Sequence, residues 1–218
     1  MTRGSHLPQT ARTQIKICGL TRGEDVHAAV EAGADLLGFI HVPKSKRFVD
    51  VDQIECLLQL VPDHVASVVV VQNAAEETLD MLRDRLRFKW IQFHGDEDVD
   101  VVRRYRGYKA QAIYLDRDLD EPLAKLDPGA PFNLLDSAVA GASGGTGLTF
   151  NWSLLAEWPG NLMVAGGLTP DNVGELIRSY APWGVDVAGG VEAAPGVKDP
   201  QKIQAFIQAV RDAEVACD

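Results

Sequence analysis

Cys18 and Asp136 are the two residues whose chemistry and position suggest a reaction. Each ends a short apolar run, Cys18 in QIKIC and Asp136 in FNLLD. A thiolate can act as a general base, and a helix N-terminus or a cation can lower its pKa. A carboxyl group deprived of solvent can stay protonated and act as an acid. A base and an acid on opposite sides of a substrate suit an isomerisation by proton transfer. By residue type alone, Cys18 also fits a small buried apolar filler.

Two glycine pairs form the second candidate site. Gly166-Gly167 and Gly189-Gly190 follow the last two apolar runs of the chain. Glycine lets the backbone approach an anion closely, with N–H groups pointing at it. Glycines also simply end strands, but two pairs in these positions favour a phosphate site.

Other polar residues near the ends of apolar runs complete the candidate site. Arg47 stands in HVPKSKRFV beside Lys44 and Lys46, and its fork geometry suits bidentate binding of a carboxylate. His94 and Asp186 are expected to line the site as hydrogen-bonding walls. The five histidines show no paired ligand spacing, so no metal is expected.

The segment SAVAGASGGTGLTF follows Asp136 and is rich in glycine. One interpretation is a mobile flap, with Gly144, Gly145 and Gly147, that closes over a ligand. The other is a disordered connection, and the sequence does not decide between them.

Eight strand candidates alternate with amphipathic helical patterns and predict a parallel α/β domain. Helix starts are expected at a Thr21/Glu24 capping box, at Thr169-Pro170 and at Asp199-Pro200. The strand candidates are spaced roughly 24 residues apart, close to the minimum for a strand, a helix and two short loops. Their sequences are QIKIC, DLLGFI, ASVVVV, KWIQFH, YKAQAIY, FNLLD, NLMVA and GVDVA.

Side-chain alternation within these strands favours a closed (β/α)8 TIM barrel with eight parallel strands over an open nucleotide-binding sheet. The first strand is followed by CGLTRGED, which lacks the G-x-G-x-x-G pattern. In several strands, alternate residues are polar and the residues between them are apolar. This pattern is expected when the outer face of a barrel packs on helices and its interior becomes more polar toward the C-terminal ends of the strands. Lys16 and Asp186 share the inward parity, and the first and last strands must be neighbours, so a buried ion pair is predicted.

Composition limits the partners. Residues 1–13 are polar and aperiodic and are expected to form a flexible tail, and residues 14–218 to form the barrel. A net charge of -10 argues against nucleic acid and an anionic membrane as partners. Three separated cysteines without a CxxC pair indicate reduced thiols and a cytoplasmic location. No apolar run is long enough to span a membrane.

Several segments, in order over residues 14–211, together resemble the phosphoribosylanthranilate isomerase family of tryptophan biosynthesis. They are KICGLT, GADLLGFIHVPKSKR, IQFHGDE, LLDS followed by GGTG, VAGGLTPDNV and GVDVAGGVEAAPGVKD. The resemblance implies a (β/α)8 barrel that converts N-(5′-phosphoribosyl)anthranilate to 1-(2-carboxyphenylamino)-1-deoxyribulose 5-phosphate without a cofactor. The ligand would be a phosphorylated small molecule, and the protein a monomer or homodimer.

The resemblance also assigns roles to single residues. Cys18 falls on the family's general base, Asp136 on its general acid and Arg47 on the residue that holds the anthranilate carboxylate. The glycines of AGGL and GGVE fall on its phosphate loops. The chain has Ala188-Gly189 where the family commonly has two serines, so backbone N–H groups would carry more of the phosphate contact. With these roles, kcat/KM is expected to rise with pH as Cys18 ionises and to fall as Asp136 does.

Two other functions stay open on the residues alone. One is another phosphosugar enzyme, such as an isomerase, an epimerase or an aldolase. Epimerases of this kind have a site with paired aspartates and histidine metal ligands. An aldolase needs a lysine at a strand end, and Lys16 lies one layer too deep for that. The other is a non-catalytic barrel that binds a phosphorylated sugar. Turnover of phosphoribosylanthranilate would separate an enzyme from a binding protein.

Overall fold

A closed barrel of eight parallel strands forms the centre of the molecule, in the order β1 to β8 with β8 paired to β1. The structure is a computed structural model that describes residues 12–114, 125–138 and 160–215. The closed ring of eight parallel strands confirms the predicted (β/α)8 barrel. The strands are β1 Gln14–Cys18, β2 Leu36–Ile40, β3 Ala66–Val71, β4 Trp90–Phe93, β5 Tyr108–Tyr114, β6 Asn133–Ala138, β7 Leu162–Ala165 and β8 Gly184–Val187.

Helices lie between the strands in the described parts of the chain. They are α1 Gly23–Ala32, α2 Val51–Leu58, α3 Glu76–Arg85, α4 Val99–Arg104, α5 Val173–Tyr180 and α6 Pro200–Val215. A short 3₁₀ turn, Gly189–Val191, follows β8 and leads into a small antiparallel pair of strands, β9 Glu192–Ala194 and β10 Val197–Lys198. This extra hairpin lies between the last barrel strand and the last helix.

The two faces of the strands pack into two separate cores, as their alternation predicts. The outward residues, such as Ile15, Ile17 and Phe93, are buried in one large cluster with the helices. The inward residues form a second, smaller cluster that includes Cys18, Val70 and Tyr108. At the N-terminal end of the barrel an aromatic group closes this inner core, with the rings of Phe132 and Trp183 stacked 4.4 Å apart. The interior is thus filled toward the N-terminal ends of the strands.

Two of the three predicted helix starts differ from the structure. The Thr21/Glu24 capping box is wrong, because α1 begins after Arg22 without a side-chain cap and the Thr21 hydroxyl instead donates to the Gly196 carbonyl. At Thr169-Pro170 the chain first makes a turn, and α5 begins only at Val173. The competing interactions of the loops at this end of the barrel override both local signals.

The third helix start is confirmed. The Asp199 carboxylate accepts hydrogen bonds from the backbone N–H groups of Gln201 (2.9 Å) and Lys202 (3.3 Å), and Pro200 is the first residue of α6. Proline suits this position because its missing N–H would have no helical partner there.

The chain contacts the barrel from just before β1. Thr13 is buried, and its backbone N–H donates to the Glu214 carboxylate on α6. The rest of the predicted tail, residues 1–11, lies outside the described residues, as do Gly144, Gly145 and Gly147 of the predicted flap. Among the helices described, none is long and apolar enough to cross a membrane.

Candidate active site

A cavity of about 600 Å³ opens at the C-terminal ends of the barrel strands. In a barrel of this architecture, that end is where active sites are built. The structure brings every predicted site residue that it describes to this one cavity. The lining includes Cys18, Arg47, His94, Asp136, Asp186, Gly166, Gly167, Gly189 and Gly190, together with Lys46.

Cys18 ends β1 and is almost fully buried in the cavity floor, with 5% of its surface exposed. Its register partner on β2 is Gly38, and a Cβ built on that glycine would lie 2.7 Å from the Cys18 Sγ and 3.1 Å from the Lys16 Nζ. The missing side chain at Gly38 therefore leaves the space in which the thiol and the ammonium group meet.

Burial raises the pKa of Cys18, although the cations Lys16 and Lys198 act in the opposite direction. The sequence led us to expect a helix N-terminus or a cation to lower this pKa, and that expectation is wrong for the structure. The cations are present, but the loss of solvent around the thiol outweighs them. Cys18 is consequently a stronger base once ionised, and less of it is ionised at neutral pH.

Lys16 and Asp186 form the buried ion pair predicted from their inward parity. The two residues are register partners across the β1–β8 seam, and the Lys16 Nζ lies 3.0 Å from the Asp186 Oδ1. Burial alone would lower the pKa of Lys16, but the charges of Asp186 and Cys18 more than offset it and the pKa is raised. Lys16 is thus a permanent cation beneath the cavity floor.

Asp136 lies on β6, and its side chain keeps 30% of its surface exposed. The surrounding barrel wall raises the pKa of Asp136, and the nearby Asp186 adds to the rise while His94 and Lys16 oppose it. This direction agrees with the expectation for an acid. Gly166 has a left-handed backbone (φ +84°), and a Cβ there would lie 2.6 Å from the Asp136 Oδ1, so the glycine makes room for the carboxyl group.

His94 follows β4 and faces Asp136 across the cavity. Its Nε2 lies 3.4 Å from the Asp136 Oδ2, and its Nδ1 lies 3.1 Å from the Gln92 Nε2. Gln92 is buried and in turn accepts a hydrogen bond from the Tyr108 hydroxyl at 2.9 Å. His94 and Asp136 were predicted as site residues, whereas Gln92 and Tyr108 were not. The inward parity of Gln92 is visible in the sequence, but its hydrogen-bond partners are not.

Arg47 already holds a carboxylate of the protein. Its Nε and Nη2 donate to the two oxygens of Glu192 at 2.7 Å each, in the bidentate geometry predicted for a substrate carboxylate. The Lys198 Nζ also donates to Glu192, at 3.0 Å. Burial would raise the pKa of Glu192, but the hydrogen bonds from Arg47 and Lys198 leave it lowered. Sequence reasoning missed Glu192 and Lys198, because only the folded hairpin after β8 brings them to Arg47.

Gly19 determines where the Arg47 side chain lies. It has a left-handed backbone (φ +74°), and a Cβ on it would lie 2.5 Å from the Arg47 Cδ. The glycine after Cys18 therefore turns the chain away from β1 and also accommodates the stem of the arginine.

The two glycine pairs lie in adjacent loops. A Cβ on Gly190 would lie 1.9 Å from the Leu168 carbonyl oxygen, so the loop after β8 touches the loop after β7 through a bare backbone. Asn172 holds the first loop, because its amide donates to the Gly167 carbonyl at 2.9 Å and its oxygen accepts from the Thr169 N–H at 2.8 Å. Close, rigid backbone of this kind suits an anion.

The fold and the cavity define the class of this protein as a (β/α)8-barrel protein with a thiol, a carboxyl group, an arginine and two glycine loops around one small-molecule pocket. Within residues 12–114, 125–138 and 160–215, no three His, Cys, Asp or Glu side chains are grouped so that they could hold a metal ion.

Comparison with known proteins identifies the family within that class. Residues 15–209 match the family model of N-(5′-phosphoribosyl)anthranilate isomerase. The chain is 42% identical over 200 residues to the N-(5′-phosphoribosyl)anthranilate isomerase of Pseudomonas aeruginosa, covering 91% of this chain and 95% of that protein. The chain therefore belongs to the N-(5′-phosphoribosyl)anthranilate isomerase family, as the sequence motifs indicated.

Solved structures agree with this assignment. The phosphoribosyl anthranilate isomerase of Thermotoga maritima superposes with a TM-score of 0.83 at 33% identity, over 92% of this chain and 99% of that one. A phosphoribosyl anthranilate isomerase in complex with reduced 1-(o-carboxyphenylamino)-1-deoxyribulose 5-phosphate superposes with a TM-score of 0.79 at 31% identity, with the same coverage.

Proposed function

We propose that this chain isomerises N-(5′-phosphoribosyl)anthranilate to 1-(2-carboxyphenylamino)-1-deoxyribulose 5-phosphate, with Asp136 as the acid and Cys18 as the base. The observation that carries the proposal is that one cavity holds both groups, on the non-adjacent strands β1 and β6, in a chain of this family. A substrate between them would meet the acid on one side and the base on the other.

The acid acts first. Asp136, whose pKa the barrel wall raises, gives its proton in the protonated form to the oxygen of the furanose ring. The bond between that oxygen and C1′ breaks, and the lone pair of the anilino nitrogen forms a C1′=N Schiff base. The substrate then carries a cationic C1′=N group with its carbon bonded to C2′, which makes the C2′ proton acidic.

The base acts second. The Cys18 thiolate removes the proton from C2′, and the released electron pair forms a C1′=C2′ double bond while the nitrogen regains its lone pair. The enolamine then tautomerises, so that C2′ becomes a ketone and C1′ gains a proton. Lys16 lies beside the thiol and stabilises the thiolate that this step requires.

The two ends of the substrate need anchors. We assign the phosphate to the backbone of Gly166, Gly167, Gly189 and Gly190, which line one part of the cavity. We assign the anthranilate carboxylate to Arg47. Glu192 already occupies the Nε and Nη2 of that arginine, so the substrate carboxylate would take its Nη1 side. His94 and Asp186 would contact the groups between these ends.

Loss of the fluorescence of phosphoribosylanthranilate, followed with purified protein, tests the activity directly. Turnover that disappears in Asp136→Asn and Cys18→Ser, while both variants still bind a product analogue, supports the proposal. Binding without turnover in the unsubstituted chain would instead establish a non-catalytic phosphosugar-binding barrel. Turnover of a different phosphosugar alone would establish another isomerase or epimerase.

We also propose a cytoplasmic location and assembly as a monomer or homodimer. Cys18 and Cys56 are free thiols, which suits the reducing cytoplasm. Every site residue that we assign comes from one chain, so either a monomer or a homodimer would carry a whole site in each copy. Sedimentation of the purified protein distinguishes the two.

A further inference from the structure

Three side chains extend in a line behind the proposed acid and take no part in the steps above. The Tyr108 hydroxyl donates to the Gln92 Oε1 at 2.9 Å, and the Gln92 Nε2 lies 3.1 Å from the His94 Nδ1. The line ends at the acid, where the His94 Nε2 lies 3.4 Å from the Asp136 Oδ2. Tyr108 and Gln92 are buried, with 0% and 1% of their surfaces exposed.

The contact of the Tyr108 hydroxyl with the carbonyl oxygen of the Gln92 amide sets the direction of the hydrogen bonds in this line. A carbonyl oxygen carries no hydrogen, so in the contact with Gln92 Oε1 the hydroxyl must be the donor. Burial raises the pKa of Tyr108, so the hydroxyl keeps its proton. With its oxygen turned to Tyr108, the amide of Gln92 presents its NH₂ group to His94.

The amide then determines the protonation of the imidazole. An NH₂ group only donates, so the His94 Nδ1 must carry a lone pair to accept from it. In a neutral imidazole the proton is then on the other nitrogen. That nitrogen, Nε2, is the one that faces Asp136. Protonation of Nδ1 would place two N–H donors against each other.

We propose that Gln92 is a positioning residue for the acid: held by Tyr108, it fixes His94 in the Nε2–H tautomer, in which the protonated nitrogen lies 3.4 Å from the Asp136 Oδ2. The inference rests on the proposed role of Asp136. The opposite tautomer would present a lone pair to Asp136 and draw off the proton that the substrate needs. An N–H donor leaves the proton in place and stabilises the carboxylate once the proton has moved.

A glutamine suits this position better than its isosteres. Gln92 is the register partner of Val70 on β3 and of Tyr108 on β5, so its side chain is enclosed on both sides. The position needs an acceptor at one end and a donor at the other, which an amide supplies. An ionised glutamate would offer acceptors at both ends and would require a proton on the His94 Nδ1.

Nitrogen-15 NMR of histidine-labelled full-length protein tests the inference, with His94→Asn used to assign the signals. In the unsubstituted chain the His94 signals should show a protonated Nε2 and an unprotonated Nδ1. Gln92→Glu should protonate Nδ1 and lower kcat about 10-fold or more. Tyr108→Phe releases the amide and should give a mixture of the two tautomers. Gln111→Glu is the control, because it adds the same charge on β5 at a position whose side chain donates to the Ala112 carbonyl instead.

The outcomes separate the inference from the function on which it rests. A protonated Nδ1 in the unsubstituted chain, or an unchanged tautomer in Gln92→Glu, would overturn it. A changed tautomer with unchanged kcat would overturn the positioning role, as would an equal loss of kcat in Gln111→Glu. Full activity in Asp136→Asn would instead remove Asp136 as the acid, and the tautomer measured by NMR would still stand.

Discussion

Lys16 and Asp186 join the first and last strands of the barrel through a buried ion pair, with 3.0 Å between Nζ and Oδ1. The same ammonium group lies beside the Cys18 thiol, and the space for both is left by Gly38. One cation therefore serves the closure of the barrel and the electrostatics of the proposed base. Two of our predictions separate these roles.

Removing one partner of this pair should destabilise the fold. Asp186→Leu leaves the Lys16 charge buried without its carboxylate, and the free energy of unfolding should fall by ~3–5 kcal/mol. Urea denaturation followed by circular dichroism measures the change. Because the raised pKa of Lys16 keeps it charged, its contribution is fully present below its ordinary pKa of 10.5 and is lost only as pH rises through the folded value. Without Asp186 the burial of Lys16 acts to lower its pKa, so the loss in Asp186→Leu should be at least as large at pH 6 as at pH 8.

The exposed pair of Arg104 and Glu76 is the matched control for that measurement. Its Nη1–Oε2 distance is 2.8 Å, but both side chains are 56% exposed. Solvent screens such a pair, so Arg104→Leu should change the free energy of unfolding far less. Equal losses of unfolding free energy in the two variants would mean that the buried pair stabilises the fold no more than the exposed pair does.

The fold was predictable because each signal for it is local. The eight strands were delimited to within one or two residues, since apolar runs with one polar parity are expected where a strand faces helices on one side and a barrel interior on the other. The ion pair of Lys16 and Asp186 followed from parity and closure alone. The Thr21/Glu24 capping box failed because Thr21 has a distant competitor, the Gly196 carbonyl, that no local pattern reveals.

The site was predictable residue by residue but not as a network. Cys18, Asp136 and the glycine pairs stand at strand ends, and topology gathers strand ends at one face. Glu192 and Lys198 belong to a hairpin that folds back over Arg47, and only the tertiary structure shows the contact. The pKa of Cys18 was expected to fall, because the sequence shows the cation but does not show the depth of burial.

Lys16 should also influence the pKa of the Cys18 thiol. Lys16→Met removes the cation that lowers the pKa of Cys18, so the thiol should ionise at higher pH than in the unsubstituted chain. The rate of alkylation by iodoacetamide as a function of pH measures this, in a background where Cys56 and Cys217 are serine. Lys46→Met, a change to another cation of the cavity lining, is the control and should leave the alkylation profile in place. An unchanged pH profile of alkylation in Lys16→Met would mean that Lys16 does not influence the ionisation of Cys18.

Glu192 should govern how Arg47 receives the substrate. In Glu192→Gln the Arg47 fork loses its charged partner, so the arginine is less firmly oriented toward the cavity. KM should rise about 10-fold while kcat changes little, because the affected contact forms equally in the ground and transition states. Steady-state kinetics give the split, and Arg47→Lys should produce the same pattern more strongly. A fall in kcat with unchanged KM would place Glu192 in the chemical steps instead.

Gly166 and Gly33 offer a matched pair of alanine substitutions. Both have left-handed backbone, with φ of +84° and +94°, so alanine is strained at each. At Gly33 a Cβ meets nothing within 4 Å, whereas at Gly166 it would lie 2.1 Å from the Ser137 Oγ and 2.6 Å from the Asp136 Oδ1. Gly33→Ala should lose only the stability that the left-handed backbone costs, whereas Gly166→Ala should lose more in thermal unfolding because its Cβ also clashes with the Ser137 backbone. Only Gly166→Ala should also lose kcat/KM, by ~10-fold or more. Equal activity in the two would mean that the space beside Asp136 is not needed.

The pH dependence of kcat/KM gives the sharpest test of the acid and the base. The active form needs a protonated Asp136 and an ionised Cys18. Both pKa values are raised in the structure from ordinary values of 3.8 and 9.0, and we expect the thiol to remain the higher of the two. Below the carboxyl pKa, rising pH increases the thiolate while the acid stays protonated, so the rate rises. Between the two values the gain in thiolate is cancelled by the loss of acid.

Above the thiol pKa only the loss of acid remains, and the rate falls. The ascending limb should therefore bend at the pKa of Asp136 and the descending limb at that of Cys18, the reverse of the assignment expected from the sequence. Asp136→Asn should remove the lower bend, so that the residual rate keeps rising to the thiol pKa. Cys18→Ser should remove the upper bend, because a serine hydroxyl does not ionise in this range, and should lower kcat by ~10² or more. Loss of the lower bend in Cys18→Ser would mean that the thiol pKa lies below that of the carboxyl group. Near-native turnover in that variant would mean that Cys18 is only a buried apolar side chain and not the base.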